Sequence, residues 1–289
     1  MKILVTGATG QQGGAVIDHL LSGEFGEHEV YGLTRDLTDD RAQELVARGV
    51  HVVEGDMRDY DRMVSLISGV EGVFCVTTFF EDGPDAELAQ GLAVVDAAAD
   101  TGVSHLVYSS VDGAERSPLP HFQSKFAIER RIRERDLPAT VVRPGYFMQN
   151  FAWLAADIEA GRLSLPVSPE TVLHLVDSDD VGRAAAAAFA DPARFLGESF
   201  ELVGDALTLS EVATTFADAL ARPVEFEQTP SSAYREARGD EVADMYAWFD
   251  SGAYSPRRPD LSRFGLVPRT LAQHIDENDA WRPAPAPVR

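Results

Sequence analysis

The sequence predicts an α/β protein built on a doubly wound parallel sheet, and three observations carry that expectation. Short apolar runs alternate with amphipathic helical stretches through the first half of the chain. The first of those runs passes directly into a glycine-rich turn, I-L-V-T-G-A-T-G-Q-Q-G-G at 3 to 14, which a helical pattern follows. The chain has 289 residues with 45% hydrophobic content, ample for such a core.

The elements follow in order. Ile3, Leu4 and Val5 suit a buried parallel strand over 2 to 6, and Ala15, Val16, Ile17, Leu20 and Leu21 give the next helix, 12 to 22, its apolar face. Further strands are expected at 29 to 34, 51 to 54, 72 to 77, 104 to 109 and 139 to 143, with helices near 39 to 48, 59 to 68, 85 to 101 and 123 to 135. After Pro144 the rhythm changes. A helical stretch at 149 to 160 leads to a loop with Pro166 and Pro169, then a strand V-L-H-L-V at 172 to 176 and a helix from Asp179 through the alanines 184 to 188. A strand at 200 to 203 and helices at 210 to 220 and near 231 to 249 complete the pattern. The expected organisation is a nucleotide-binding domain over 1 to 150, with 172 to 204 returning to it. A smaller α/β subdomain on the substrate or partner side takes 151 to 171 and 205 to 289, and R-P-A-P-A-P-V-R closes the chain as a mobile tail.

Composition narrows the function classes. The formal net charge is -22, so anionic polymers are repelled and direct binding to nucleic acid or an acidic membrane is not expected. The run R-R-I-R-E-R at 130 to 135 reads as a solvated helix face whose arginines pair with Glu129 and Glu134. Lys2 and Lys125 are the only lysines, and dense carboxylates with so little lysine fit a salt-rich cytoplasm. No run of 18 apolar residues exists, and Met1 leads straight into the first strand, which predicts a cytoplasmic protein without a signal peptide. Cys75 is the only cysteine, so disulfides within the chain and multi-cysteine metal sites are excluded, no metal is expected, and a buried inert thiol is.

The glycine turn points to a dinucleotide. Gly7 permits the tight turn, Gly10 the approach of a phosphate to the backbone, and Gly13 the packing of helix on strand. Thr9, Gln11 and Gln12 complete the loop, and the N-terminus of the following helix faces the pyrophosphate. The spacing G-x-x-G-x-x-G departs from the usual G-x-G-x-x-G. At the end of the second strand, where NAD enzymes carry an acid, stands Arg35 in G-L-T-R-D; a guanidinium suits a 2′-phosphate, so NADP(H) is favoured over NAD(H). The other reading pairs Arg35 with Asp36 at the surface. In V-V-E-G-D-M-R-D, Asp56 and Met57 lie where an adenine would sit, though Asp56 fits equally as a helix N-cap.

These residues, with L-V-Y-S-S (106 to 110), H-F-Q-S-K (121 to 125) and V-V-R-P-G-Y-F-M-Q-N (141 to 150), make the chain resemble the NmrA-like branch of the atypical short-chain dehydrogenase/reductases, nearest its HSCARG-type NADPH-sensing members. The resemblance covers nearly the whole length. It implies a Rossmann core, a smaller C-terminal part, and a nicotinamide lying between them. Some members reduce quinones or phenylpropanoids; others bind NADP(H) and signal to partner proteins.

The family's Tyr-x-x-x-Lys position reads His121-Phe122-Gln123-Ser124-Lys125, with the lysine present and the tyrosine absent. The resemblance gives Lys125 the nicotinamide ribose; the alternative is a surface helix lysine. His121 is either an acid in place of the tyrosine or a capping residue after Pro120. Ser109 and Ser110 either polarise a carbonyl or simply end a strand. Pro144, Gly145 and Tyr146 match the family's segment facing the carboxamide, and Thr77 ends the fourth strand beside the cofactor. Phe79, Phe80, Phe147, Trp153 and Trp248, with Asn150 as a polar contact, are candidates to wall a substrate pocket or to be ordinary core. Loss of the tyrosine favours a sensor or regulator with little turnover. The alternative is an NAD(P)H-dependent reductase of a quinone, enone or other small carbonyl compound; a protein partner is the counterpart of the sensor reading.

Overall fold

The computed structural model describes residues 1 to 278 and residue 281; the expected proline-rich tail lies outside the described residues. In chain order the first stretch holds β1 (Lys2–Val5), α1 (Gln11–Leu21), β2 (Glu29–Thr34), α2 (Asp40–Ala47), β3 (His51–Glu54), α3 (Tyr60–Ile67), β4 (Gly72–Val76), α4 (Gly83–Thr101), β5 (His105–Ser109), α5 (Pro120–Glu134) and β6 (Ala139–Pro144). Then come β7 (Tyr146–Phe147), a 3-10 turn at Met148–Leu154, α6 (Ala155–Glu159), β8 (Arg162–Leu165) and β9 (Val172–Val176). Next are α7 (Ser178–Ala190), α8 (Pro192–Phe195) and β10 (Ser199–Leu202). The remainder is β11 (Asp205–Thr208), α9 (Leu209–Leu220), β12 (Glu225–Gln228), α10 (Ser231–Arg238), α11 (Asp240–Asp250) and α12 (Leu271–Glu277).

Two compact units result. The first comprises Met1–Pro144, Ser178–Leu202 and Arg263–Leu266. Its sheet has seven strands in the order β10-β6-β5-β4-β1-β2-β3, all pairs parallel. It is an α/β fold with helices flanking the sheet. One side of β1, β4, β5 and β6 is buried against α3, α4 and α5: Leu4, Val73, Cys75, Leu106, Tyr108 and Val141 meet Met63, Ile67, Val94, Val95, Ala98, Ile128 and Ile132. Elsewhere α7 presses on α1 so closely that a Cβ on Gly182 would lie 2.4 Å from the carbonyl oxygen of Ala15. Cys75 is fully buried, and that burial pushes its thiol up to about 12, so it stays protonated.

The second unit comprises Gly145–Asp177, Val203–Ser262 and the described residues from Val267 onward. It holds a three-stranded sheet, β11-β9-β7, and the parallel pair β12-β8. Two local expectations need correction here. The stretch expected as one helix at 149 to 160 is a 3-10 turn followed by the short α6, and the helix expected near 231 to 249 is two helices. Gly239 separates those two at φ +88°, a conformation the α-helical ladder cannot pass through.

Candidate functional site

The strand order places β1 between β2 and β4, so the connections leaving β1 and β4 run to opposite sides of the sheet. In such a sheet the crevice at the carboxyl ends of those strands is where ligands bind. The expected residues of the first unit gather along that edge. Gly7 to Gly13 follow β1, Arg35 follows β2, Asp56 and Met57 follow β3, Thr77 follows β4, Ser109 and Ser110 end β5, and Pro144 ends β6.

The turn after β1 is shaped by its glycines. Gly7 has φ +59°, and a Cβ there would meet Val76 Cγ1 at 2.8 Å. A Cβ on Gly13 would lie 2.2 Å from the carbonyl oxygen of Gly7, so helix and turn touch backbone to backbone. The hydroxyl of Thr6 ties the turn to β4 by donating to the Val76 carbonyl at 3.0 Å and accepting from the Val76 amide at 2.8 Å. Gly10 is the N-cap of α1 without a side-chain cap, and no acidic residue stands in the first turn. In contrast α2 and α3 are capped by Asp39 and Asp59. The first turn of α1 therefore brings no side-chain cap and no carboxylate of its own to its amides, a donor set that fits a pyrophosphate.

At the ends of the neighbouring strands the arginines are engaged. Arg35 forms a two-pronged ion pair with Glu81, Nη1 to Oε2 at 2.5 Å and Nη2 to Oε1 at 2.8 Å. Arg58 bridges Asp56 and Asp82. Capping of α3 belongs to Asp59, whose carboxylate accepts from the Arg62 amide; Asp56 instead accepts from the Arg58 amide and guanidinium. Met57 packs against the core. Arg41 donates to the carbonyl of Thr9 at 3.2 Å, which brings a second guanidinium to the glycine turn.

Lys125 is not a surface lysine. Its Nζ lies 2.8 Å from Glu87 Oε1 and donates to the hydroxyl of Thr77 at 3.3 Å, with 12% of the lysine side chain and none of the glutamate exposed. Glu87 also accepts from Thr77 at 3.1 Å and from Ser124 at 2.5 Å. Glu87 was invisible as a site residue in the sequence, where D-A-E-L-A-Q looks like a helix surface. The available signal was that Glu87 shares a helical stripe with Gly91, Val94 and Ala98, the face α4 buries, so a glutamate there needs a buried partner.

His121 lies in the first turn of α5, whose N-cap is Leu119, so it is not the cap. It is buried, with its ring stacked on Phe79 at 4.6 Å between centroids and an angle of 19°. Phe79 in turn stacks on Phe80, which is 75% exposed. Ser109 donates to Gln12 Oε1 at 2.6 Å. Ser110 donates to Glu129 at 2.6 Å, and Glu129 is fully buried in a two-pronged pair with Arg143 at 2.8 and 3.0 Å. Tyr108 on β5 cannot stand in for the missing tyrosine, because its side chain lies in the core and burial holds its phenol well above the usual range. The Pro144 carbonyl accepts from the Asp112 amide at 2.9 Å.

The remaining candidates lie in the second unit. The Tyr146 hydroxyl is 2.9 Å from that of Tyr246 in a cluster with Phe151 and Phe249, and burial pushes its phenol up to about 12. Phe147, Asn150 and Trp248 are half-buried, the last beside Phe249 and Tyr254, while Trp153 is 67% exposed.

A turn of this shape, with a lysine fixed opposite the end of β4, coincides with a match of the NmrA-like family profile to residues 1–280. The chain belongs to the NmrA-like family. Among its relatives is the NAD(P)H azoreductase of Xenophilus azovorans, 31% identical over 78% of this chain and 76% of that protein. The NADPH complex of an Escherichia coli quinone oxidoreductase superposes with a TM-score of 0.80 at 26% identity, covering 95% of this chain and 98% of that one. The negative transcriptional regulator NmrA bound to NADP gives 0.75 at 26% identity, covering 94% and 88%, and another crystal form of NmrA holds NAD. The proteins this NmrA-like chain is similar to thus include both reductases and a regulator.

Proposed function

We propose that this protein binds NADP(H) at the glycine turn and reduces a small conjugated acceptor, a quinone, azo compound or enone. The bound dinucleotide supplies the hydride. The first-turn amides of α1 bind the pyrophosphate, Arg35 the 2′-phosphate, and Lys125, oriented by Glu87 and Thr77, the nicotinamide ribose.

One observation carries the choice of acceptor: the two serine hydroxyls beside the family's proton-donor position donate to other partners, and that position itself holds a buried histidine stacked on Phe79 instead of a tyrosine. Ser110 donates into the buried Glu129–Arg143 pair, Ser109 donates to Gln12, and His121 is buried under Phe79. A site without a poised acid suits an acceptor that spreads the incoming negative charge over its own conjugated system, because a simple ketone needs a donor at its oxygen. The azoreductase and quinone oxidoreductase relatives support this reading. On the first unit Phe79 and Phe80 supply apolar surface for such a molecule. On the second, Phe147, Asn150, Trp153 and Trp248 remain proposals for acceptor contact.

A second reading has its own observation. The same lack of a poised acid, together with the likeness to the regulator NmrA, favours an NADPH sensor of the HSCARG type without turnover. Oxidation of NADPH with a panel of quinones, azo dyes and enones separates the two. The reductase reading expects turnover that His121→Ala leaves unchanged; tight NADPH binding without oxidation by any acceptor overturns it in favour of the sensor.

A further inference from the structure

The pair between Arg35 and Glu81 joins a residue at the end of β2 to one in the segment between β4 and α4. Both carboxylate oxygens and both Nη groups are used, which is the fork geometry a guanidinium also offers to a phosphate. The side chains are 60% and 50% exposed, so a ligand can reach them. The adjacent residue, Asp82, holds Arg58 at 3.0 Å, so two consecutive carboxylates of this segment occupy the guanidinium groups beside the crevice.

We propose that Glu81 is a specificity-determining residue, a built-in competitor that occupies Arg35 until a 2′-phosphate displaces it. The inference rests on the dinucleotide reading above. The two Nη groups cannot serve the carboxylate and a phosphate at once. At neutral pH the phosphate carries nearly two charges against the carboxylate's one, so it wins the exchange. NADH brings only a hydroxyl to that position and leaves the pair intact. Glu81 therefore lowers affinity for NADP(H) alone and narrows the gap between the two cofactors, by the fraction of molecules in which Arg35 is already held.

The test is equilibrium titration of the full chain with four probes, NADPH, NADH, adenosine 2′,5′-bisphosphate and adenosine 5′-diphosphate, in the wild type, Glu81→Gln, Arg35→Ala and the double variant. Exposed ion pairs of this kind imply that Glu81→Gln tightens NADPH and the 2′,5′-bisphosphate by about 1.5- to fivefold, with NADH and the 5′-diphosphate unchanged. In the Arg35→Ala background the same substitution has no effect. Added salt weakens NADPH relative to NADH more steeply in Glu81→Gln than in the wild type, where phosphate replaces one ion pair by another. Unchanged NADPH affinity in Glu81→Gln overturns the inference while leaving the site in place. Equal tightening of all four probes overturns it as well, since that is general relief of negative charge. Failure of the wild type to bind any probe overturns the dinucleotide reading itself.

Discussion

Alanine substituted at Gly13 and at Gly14, neighbours in α1, should move stability in opposite directions. A Cβ on Gly13 would stand 2.2 Å from the Gly7 carbonyl oxygen, 2.6 Å from its carbon and 2.9 Å from the Thr6 oxygen. All three are backbone atoms, so no rotamer change relieves the contact. The turn is further held by the Gly10 amide donating to the Gly7 carbonyl at 2.9 Å and by the Thr6 hydroxyl on β4. Overpacking typically costs about 1 to 3 kcal/mol, and a rigid backbone obstacle belongs at the upper end. Alanine recovers up to about 1 kcal/mol of helix propensity, which leaves Gly13→Ala destabilised by roughly 2 kcal/mol. On Gly14 a Cβ would meet the Ala8 oxygen at 3.9 Å, an ordinary contact. There only the propensity gain operates, so Gly14→Ala should be stabilised by about 0.5 to 1 kcal/mol. Parallel urea denaturation reads both values, and titration with NADPH reads the turn, which should bind more weakly in Gly13→Ala. A Gly13→Ala protein as stable as the wild type, or a Gly14→Ala protein that loses as much as its neighbour, would refute the backbone-contact argument.

Two further outcomes are expected. Lys125→Ala should cost about 3 to 5 kcal/mol of stability as well as NADPH affinity, because it leaves the fully buried Glu87 carboxylate without its cation; the double variant Lys125→Met, Glu87→Gln should regain most of the stability but not the affinity. Stability measurements that find Lys125→Ala unchanged would show that the pair is not desolvated. His105 supplies the pH dependence. Its Nε2 must donate to Thr140 Oγ1 at 2.8 Å, since that hydroxyl already donates to the Phe195 carbonyl, and burial lowers the imidazole from 6.5 to about 4. A base whose folded pKa is depressed contributes stability above its unfolded pKa and loses it as pH falls, so this contribution should decline between about pH 6.5 and 4, by up to roughly 1.4 kcal/mol per pH unit. Denaturation at several pH values, with His105→Gln for comparison, checks it: identical acid dependence in the two proteins would be the contrary result.

The glycine turn, the strands of the seven-stranded sheet and the oddity of Lys125 were legible in the sequence because each depends on local chemistry. A parallel strand buried on both faces needs an unbroken apolar run, a helix start under a phosphate needs residues without side chains, and a lysine kept in an arginine-rich chain marks a place for a compact ammonium. The NmrA-like resemblance was legible for the same reason, since its motifs are contiguous. The edge strands β7, β8, β11 and β12 were not, being only two to four residues long, too short for a period of two to stand out from chance. Only the tertiary structure decided where the charges go. Glu87 meets Lys125 from another helix, Glu81 meets Arg35 across 46 residues of chain, and Ser110 donates to a glutamate of the arginine-rich helix that sequence alone makes a solvated face. Backbone preferences act within a few residues, whereas an ion pair is chosen by whichever opposite charge the packed sheet brings within reach, and linear spacing carries no trace of that choice.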